Sequence, residues 1–244
     1  MGNLIKSLEN LILIMYKNKI ILAIVPARGK SKGIKNKNLR KIKNLTLVEH
    51  AGNIIKKINW IDFAIISSDS KKIIKTAKKS NLECLFKRPK IISGDMISDY
   101  QVVKHALKTT EKKKRKKIDI ILLIQPTSPL RKTYHIEDVI KKIVDEKLDS
   151  VWSVSKVNFK FHPLKQLMIK NNRLVYFDKR GKNIIGRQQL SNTYFRNGAV
   201  YAISRNCVIK KKNLLGNKSA AYVINSRQIS IDTLEDLKKA SKLI

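Results

Sequence analysis

The sequence predicts an α/β fold: a mostly parallel sheet with helices on both faces. Two observations carry this. Short apolar runs alternate with stretches of helical periodicity from residue 20 to residue 146, the pattern of strands joined by crossover helices. The first apolar run, Ile20–Val25, empties through Pro26 into a loop rich in Gly, Asn, Lys and Arg, at the strand end where open α/β sheets bind ligands.

In chain order, residues 1–19 read as an N-terminal extension. Leu4–Tyr16 is mildly apolar, but Lys6 and Glu9 interrupt it and no small-residue cleavage site follows, which makes it a poor signal peptide. Met15, just before the first strand, is an alternative start. Strands are expected at Ile20–Val25, Phe63–Ser67, Leu82–Phe86, Ile118–Ile124 and Ser150–Ser155, and helices at Leu45–Ile58, Ser70–Lys79, Asp99–Lys112 and His135–Glu146. The basic run Lys112–Lys117 closes a helix, where cations suit the dipole. The alternation then breaks. Residues 156–196 carry His-Pro, Asn-Asn, Arg-Gly and Lys-Asn punctuation without a helical period. A structureless loop of that length is unusual inside a domain, so a β-rich excursion that serves as a subunit contact is expected. Strands return at Ala199–Ile203 and Tyr222–Asn225. Asp232 opens the last helix, with Thr233 and Asp236 spaced as a capping box. One domain over residues 20–244 results.

Composition narrows the function classes. The 244 residues are 43% hydrophobic, enough for a proper core, and 53 Lys plus Arg against 18 Asp plus Glu give a net charge of +35. Such a balance suggests nucleic acid, but lysine dominates it, it spreads over every helix, and aromatics are only 6%, too few for a single-strand stacking platform. Cys84 and Cys207 have no C-x-x-C spacing and are expected to be buried structural thiols in a reducing cytoplasm. No apolar run reaches the roughly 18 residues of a membrane span. None of His50, His105, His135 and His162 sits at a metal-ligand spacing, and none is assigned catalysis.

The loop Ala27–Leu39 holds Arg28, Lys30, Lys32, Lys35, Lys37, Ser31, Gly29 and Gly33. Exposed N–H groups among cationic side chains form a concave anion site, and a triphosphate is the natural occupant. It is not a Walker A loop, because no Gly-Lys-Ser/Thr closes the spacing. A solvated basic loop fits the composition equally well; position at the end of the first strand favours binding.

Ala27-Arg28-x-x-Ser31-Lys32-Gly33-Ile34 followed by Lys37-Asn38-Leu39-Arg40 resembles the signature of the cytidylyltransferases that activate sialic acids and related nine-carbon sugars. Further blocks agree in order: Ser67-Ser68-Asp69, Gln125-Pro126-Thr127-Ser128-Pro129-Leu130-Arg131, Arg187-Gln188-Gln189-Leu190 with Asn197-Gly198-Ala199-Val200-Tyr201, and Ile231-Asp232-Thr233. The resemblance covers about residues 20–244. It implies a three-layer Rossmann-like nucleotide-diphospho-sugar transferase fold, a homodimer formed through residues 156–196, and transfer of CMP from CTP to the anomeric hydroxyl of a nine-carbon acidic sugar, with Mg²⁺. It also implies roles. Arg28 and Lys37 would hold the triphosphate and stabilise the leaving pyrophosphate, Ser31 would cradle phosphate, and Asn38 would bond the nucleotide. Arg88 would lie beside cytosine and ribose, with Ser98 at the base edge. Gln125, Thr127 and Ser128 would face the sugar, Asn197 and Tyr201 would line its pocket, and Lys165 and Arg187 would reach the partner's site. Asp232 would hold the metal. From residue type alone Asp232 reads equally as a helix cap.

The chain departs from the family's pattern in places. Ser230 stands where the motif Asp-Ile-Asp has its first Asp, Lys30 where Gly is common, Lys35 where Pro is common, and Phe195 where Arg often occurs beside Arg196. The sister family that activates the eight-carbon sugar KDO carries an acidic residue in the loop that follows the fourth strand. Its absence here favours a nine-carbon sugar, of neuraminic, legionaminic or pseudaminic type. The alternative from another class is a polyanion or nucleic-acid binder that kept the fold without catalysis; the charge and Ser230 support it.

Overall fold

The computed structural model describes residues 16–244. Ten strands and six helices follow in order: β1 Ile21–Pro26, β2 Lys41–Ile42, β3 Leu45–Thr46, α1 Leu47–Ile55, β4 Phe63–Ser67, α2 Lys71–Lys78, α3 Asp99–Lys114, β5 Ile120–Leu123, α4 Thr133–Asp145, β6 Ser150–Lys156, β7 Leu167–Lys170, β8 Arg173–Tyr176, β9 Tyr194–Ser204, α5 Arg205–Ile209, β10 Ser219–Val223 and α6 Leu234–Ser241. Six strands form the central sheet in the order β10-β6-β9-β5-β1-β4. Only β9 runs against its neighbours; β1 is parallel to β4 and β5, and β6 to β10. This is the expected mostly parallel sheet.

Apolar residues alternate between its faces. Ile21, Ala23 and Val25 of β1 pack with Val48, Ala51 and Ile55 of α1 and with Ile136, Val139 and Ile140 of α4. Leu22 and Ile24 face the other way, onto Val103, Ala106 and Leu107 of α3 and Cys207 and Val208 of α5. The result is three layers, with the sheet dry on both sides, as near-continuous apolar strands require. A smaller cluster of Ile34, Ile42, Leu47, Ile231 and Ala240 ties the basic loop and the last helix to the domain.

Most expected elements stand, with shifted ends. The helix expected from Leu45 begins at Leu47, because Thr46 caps it: Thr46 Oγ1 accepts from Glu49 N, and Glu49 returns a carboxylate to Thr46 N. The helix expected from His135 starts at Thr133, and His135 is the side chain that accepts from Lys132 N. Leu82–Phe86 is not a strand. It touches the sheet edge by one bridge, Ile65 to Glu83, then runs to Arg88-Pro89, where Pro89 lacks the N–H a ladder needs. Ala199–Ile203 is the inner part of the longer β9, and the strand expected at Tyr222–Asn225 lies at Ser219–Val223. Thr233 and Asp236 form the expected capping box, and α6 starts at Leu234.

The extension expected over residues 1–19 lies for residues 1–15 outside the described chain. Its last part is packed rather than free: Tyr16 stacks on Trp60 with ring centroids 4.8 Å apart, and Lys17 Nζ lies 2.8 Å from Asp145. Residues 156–196 hold the single β7–β8 hairpin and four short 3₁₀ turns, so the excursion expected to be β-rich carries less strand than turn between the ends of β6 and β9. Cys207 is buried, and desolvation pushes its thiol up to about 11. Cys84 is only partly covered, which corrects the expectation of two buried thiols. No helix among the described residues is long and apolar enough to cross a membrane.

Candidate functional site

Strand ends build the site. β1, β4, β5, β6 and β10 all point their C-terminal ends to one edge of the sheet, and β1 is flanked by β4 on one side and β5 on the other. A cavity of about 380 Å³ opens there, in the crevice where an α/β sheet binds nucleotides. From β1 and its loop come Pro26, Arg28, Lys37 and Asn38, and from the loop after β5 come Gln125, Pro126 and Thr127. Arg88 with Asp95 and Asp99, and Ser230 with Asp232, close the other walls. The structure thus brings Arg28, Lys37, Asn38, Arg88, Gln125, Thr127 and Asp232 into one cavity from four separate stretches of sequence.

Backbone contacts hold these stretches in register. Ile231 N donates to Thr127 O at 2.8 Å, and a Cβ on Gly33 would stand 2.6 Å from Asp232 O. The basic loop, the loop after β5 and the last segment therefore meet at backbone distance, and only glycine permits the closest approach. Gly29 N donates to Asp69 Oδ1 at 2.8 Å, which gives the short Ser67-Ser68-Asp69 block its place. Asn38 is buried and its Nδ2 donates to Arg28 O at 3.1 Å. Asn38 lines the cavity but spends its amide holding the loop that carries Arg28.

The cations carry the electrostatics. Lys37 Nζ lies 2.8 Å from Asp232 Oδ1, and Arg28 pairs with Asp95. Arg88 is 5% exposed, its Nε is buried without a hydrogen-bond partner, and desolvation lowers its pKa. A buried, unsatisfied donor on a cavity wall is costly unless a ligand meets it. Ser31 Oγ is likewise buried without a partner, on the basic loop, but Ser31 is not on the cavity wall.

A second cavity of about 410 Å³ adjoins the first, sharing Ile97 and Asp99 with it. Trp152, Tyr201, Leu123, Ile203 and Leu214 give it an apolar floor; Ser98, Asp99 and Arg196 give it polar walls. Trp152 and Tyr201 pack with centroids 5.1 Å apart, and Arg196 lies over the Trp152 ring at 5.5 Å. Burial raises the pKa of both the Tyr201 hydroxyl and the Asp99 carboxyl, the latter opposed by Arg196. Ser98 caps α3, its Oγ accepting from Gln101 N.

Several expected site residues are placed elsewhere. Ser128 is 1% exposed and donates to Asn197 O at 2.8 Å. Asn197 Oδ1 accepts from Ser153 Oγ at 2.7 Å and its Nδ2 donates to Ser155 Oγ at 3.0 Å. Both side chains are engaged in the wall between β6, β9 and the loop after β5, and neither lines either cavity, although both were expected to face a sugar. Lys165 and Arg187 lie exposed in the excursion, on neither cavity, and Arg187 stacks on Phe159 at 4.6 Å. Asp232 is not the cap of the last helix; Thr233 is, with Asp236 Oδ2 accepting from Asp232 N and Thr233 N.

Arg131 is the residue that sequence reasoning passed over. It is 3% exposed, donates to Ala199 O at 2.7 Å, and reaches Gln125 O and Gly198 O. It fixes the loop after β5 against β9, and its place at the end of the Gln125–Arg131 block was the available signal. Gly198 sits at φ +70, where a Cβ would stand 2.6 Å from both Gln125 Oε1 and Ser128 Oγ. Asp95, the partner of Arg28, was also passed over.

Known proteins match this architecture. The family model described as "Cytidylyltransferase" matches residues 22–243. The CMP-N,N'-diacetyllegionaminic acid synthase of Campylobacter jejuni is 28% identical over 226 residues, covering 92% of this chain and 94% of that protein. The post-translational flagellin modification protein B of Campylobacter coli is 27% identical over 225 residues, with 92% and 94% coverage. An N-acylneuraminate cytidylyltransferase of Escherichia coli is 27% identical over 90% of this chain, which spans 51% of that longer protein. Among solved structures, a CMP:2-keto-3-deoxy-manno-octonic acid synthetase complexed with CTP superimposes with a TM-score of 0.70 at 13% identity, over 92% of this chain and 98% of that one. The last likeness concerns the fold, which is Rossmann-like. The match across nearly the whole domain shows that the chain belongs to the cytidylyltransferase family.

Proposed function

We propose that the protein transfers CMP from CTP to the anomeric hydroxyl of a nine-carbon acidic sugar of the sialic, legionaminic or pseudaminic type. The observation that carries this reading is the pairing of two adjoining cavities, one ringed by Arg28, Lys37 and Arg88, the other floored by Trp152 and Tyr201 with Arg196 on its wall. The first suits a triphosphate nucleotide. The second suits a sugar with a carboxylate for Arg196 and apolar substituents for the aromatic floor. Relatives named for legionaminic and pseudaminic acid support the sugar class.

In the reaction the anomeric oxygen attacks the α-phosphorus of CTP, the bond to the β-phosphate breaks, and pyrophosphate leaves. Positioning and charge neutralisation carry such a step. Arg28 and Lys37 stabilise the charge that grows on pyrophosphate. Arg88 meets the cytidine with its unpaired Nε. Gln125 and Thr127 line the first cavity on a loop made rigid by two prolines, where they would meet the end of the sugar that reaches in to the α-phosphate. Asp232 fits Mg²⁺: its carboxylate is exposed and free of the helix cap, and among the described residues Lys37 and Ser230 Oγ, the latter at 3.3 Å, are its side-chain partners. Among the described residues no group of three or more His, Cys, Asp or Glu could hold a metal alone, which suits an ion that takes most ligands from phosphates and water. When bound, Mg²⁺ supplies positive charge to the triphosphate. The free thiols Cys84 and Cys207 suit a reducing compartment such as the cytoplasm, where we place the reaction.

The test is a pyrophosphate-release assay. Release is expected only when CTP, Mg²⁺ and a nine-carbon 2-keto acid are all present. Release with ATP, or without the sugar, overturns the reading; stabilisation by any polyphosphate alike would mark a polyanion binder instead.

The excursion completes the proposal. Phe161, Ile169, Leu174, Phe177 and Ile185 are each at least 62% exposed on it, an apolar face larger than a soluble monomer usually leaves open. A second copy of the chain covers it, and Lys165 and Arg187 act from there on the partner's site. Sedimentation is expected to show a homodimer; a fully active monomer would contradict it.

A further inference from the structure

We infer that Asp95 is an internal competitor for the triphosphate, a carboxylate of the chain itself that holds the loop's cations until a polyphosphate displaces it. The inference rests on the nucleotide reading of the first cavity. Both carboxylate oxygens are engaged, Oδ1 by Arg28 and Oδ2 by Lys32 Nζ at 2.9 Å. One side chain therefore bridges two cations of the basic loop, where phosphate oxygens would otherwise stand. Hydrogen bonds from Lys32 and Arg28 keep the Asp95 carboxyl below its usual pKa, so it remains an anion throughout the neutral range.

The segment around it is built to let go. Asp95 sits between Gly94 and Met96, and Met96 and Ile91 are 96% and 84% exposed. A Cβ on Gly94 would meet only Ile97, at 3.8 Å. Backbone bonds here are those of a short turn, Ile92 N to Pro89 O and Ser93 N to Lys90 O. The core does not pin Asp95. Its position is set by the cations it pairs with, and a ligand with more negative charge can take them.

The device answers a difficulty particular to this chain. A protein of net charge +35 draws anions of every kind to its surface. If the loop cations were free, orthophosphate and other small anions would occupy them. A ligand that must displace Asp95 binds with its intrinsic affinity reduced by the fraction of molecules in which the cations are free. Weak anions then fall below useful occupancy, while CTP retains affinity through base and ribose. On product release the carboxylate returns to Arg28 and Lys32 and helps expel pyrophosphate.

The experiment is calorimetric titration of the full chain with CTP, pyrophosphate and CMP, first without Mg²⁺, for wild type and Asp95→Asn. The variant is expected to bind pyrophosphate and CTP about three- to tenfold more tightly, the scale of losing a partly exposed pair of ionic contacts. CMP, which has no β- or γ-phosphate, is expected to be unchanged. Asp95→Ser supplies the same reading if the asparagine variant folds poorly. Unchanged or weaker pyrophosphate binding in both variants overturns the inference. So does weakening of CTP seen only with Mg²⁺, which would make Asp95 a metal ligand. A further titration of wild type with ATP separates the two readings: ATP binding as tight as CTP would sink the cytidylyl reading, and the pyrophosphate comparison would still decide the role of Asp95.

Discussion

Arg28→Ala is expected to lower kcat by about 10²- to 10³-fold, the cost of one preorganised charge contact at a transition state, and to leave the fold intact. Arg28 stands two residues beyond β1, and its side chain is 34% exposed on the cavity wall. It belongs to none of the apolar clusters, and its ionic partner is the exposed Asp95. Removing it takes nothing from the core. What disappears is a guanidinium in the cavity at the end of β1, where the proposed reaction would develop pyrophosphate charge. The loop itself stays anchored through Asn38 to the Arg28 carbonyl and through Gly29 N to Asp69; neither contact uses the lost side chain. Initial rates at saturating CTP, together with far-UV circular dichroism and a melting curve, check this. Near-normal turnover would remove Arg28 from the site, and an unfolded variant would make it structural. A raised KM with unchanged kcat would assign Arg28 to ground-state binding alone.

Much of this site could be read from sequence because its parts sit where periodicity stops. Ile20–Val25 is apolar throughout, and the first Gly and Lys after it mark the loop. Gln125–Arg131 follows another apolar run in the same way. Thr233 and Asp236 announce the last helix by local chemistry, so even its start was legible. The failures have a common physical cause, which is that tertiary partners are invisible to local pattern. Leu82–Phe86 has strand composition, yet the sheet edge takes it for one bridge only. Tyr194–Asn197 is polar enough to hide the start of β9, because Asn197 finds Ser153 and Ser155 on the neighbouring strand. Ser128 and Asn197 look like ligand groups until each is seen to satisfy the other's surroundings. Asp95 in Ser-Gly-Asp-Met reads as ordinary turn chemistry; its partner Arg28 is 67 residues away. Arg88 was named from resemblance, and its unpaired Nε is the structural fact that gives the choice weight.

Asp232→Asn is expected to reduce turnover at ordinary Mg²⁺ by about 10²-fold or more, and Ser230→Asp to lower the Mg²⁺ needed for half-maximal rate by about three- to tenfold, since ligand charge count tunes such sites. The geometry sets both signs. Asp232 Oδ1 accepts from Lys37 and Oδ2 from Ser230 Oγ at 3.3 Å, so residues 230 and 232 face the same side of an extended segment. Thr233 takes the helix cap, which leaves the Asp232 carboxylate to the cavity and removes a purely structural reason for its presence. A carboxylate in place of Ser230 would stand close to Asp232 as a like charge. Without a metal ion the two repel, Lys37 offsets this only in part, and the melting temperature should fall slightly. With CTP and Mg²⁺ the repulsion becomes a second anionic ligand, and the loss should reverse. A magnesium titration of initial rates for wild type and both variants gives the kinetic half of the test. Calorimetric Mg²⁺ binding in the presence of CTP gives a half that does not depend on turnover. If Ser230→Asp leaves both curves unmoved and Asp232→Asn still works, neither position holds the metal, and Asp232 serves only to hold Lys37 in place.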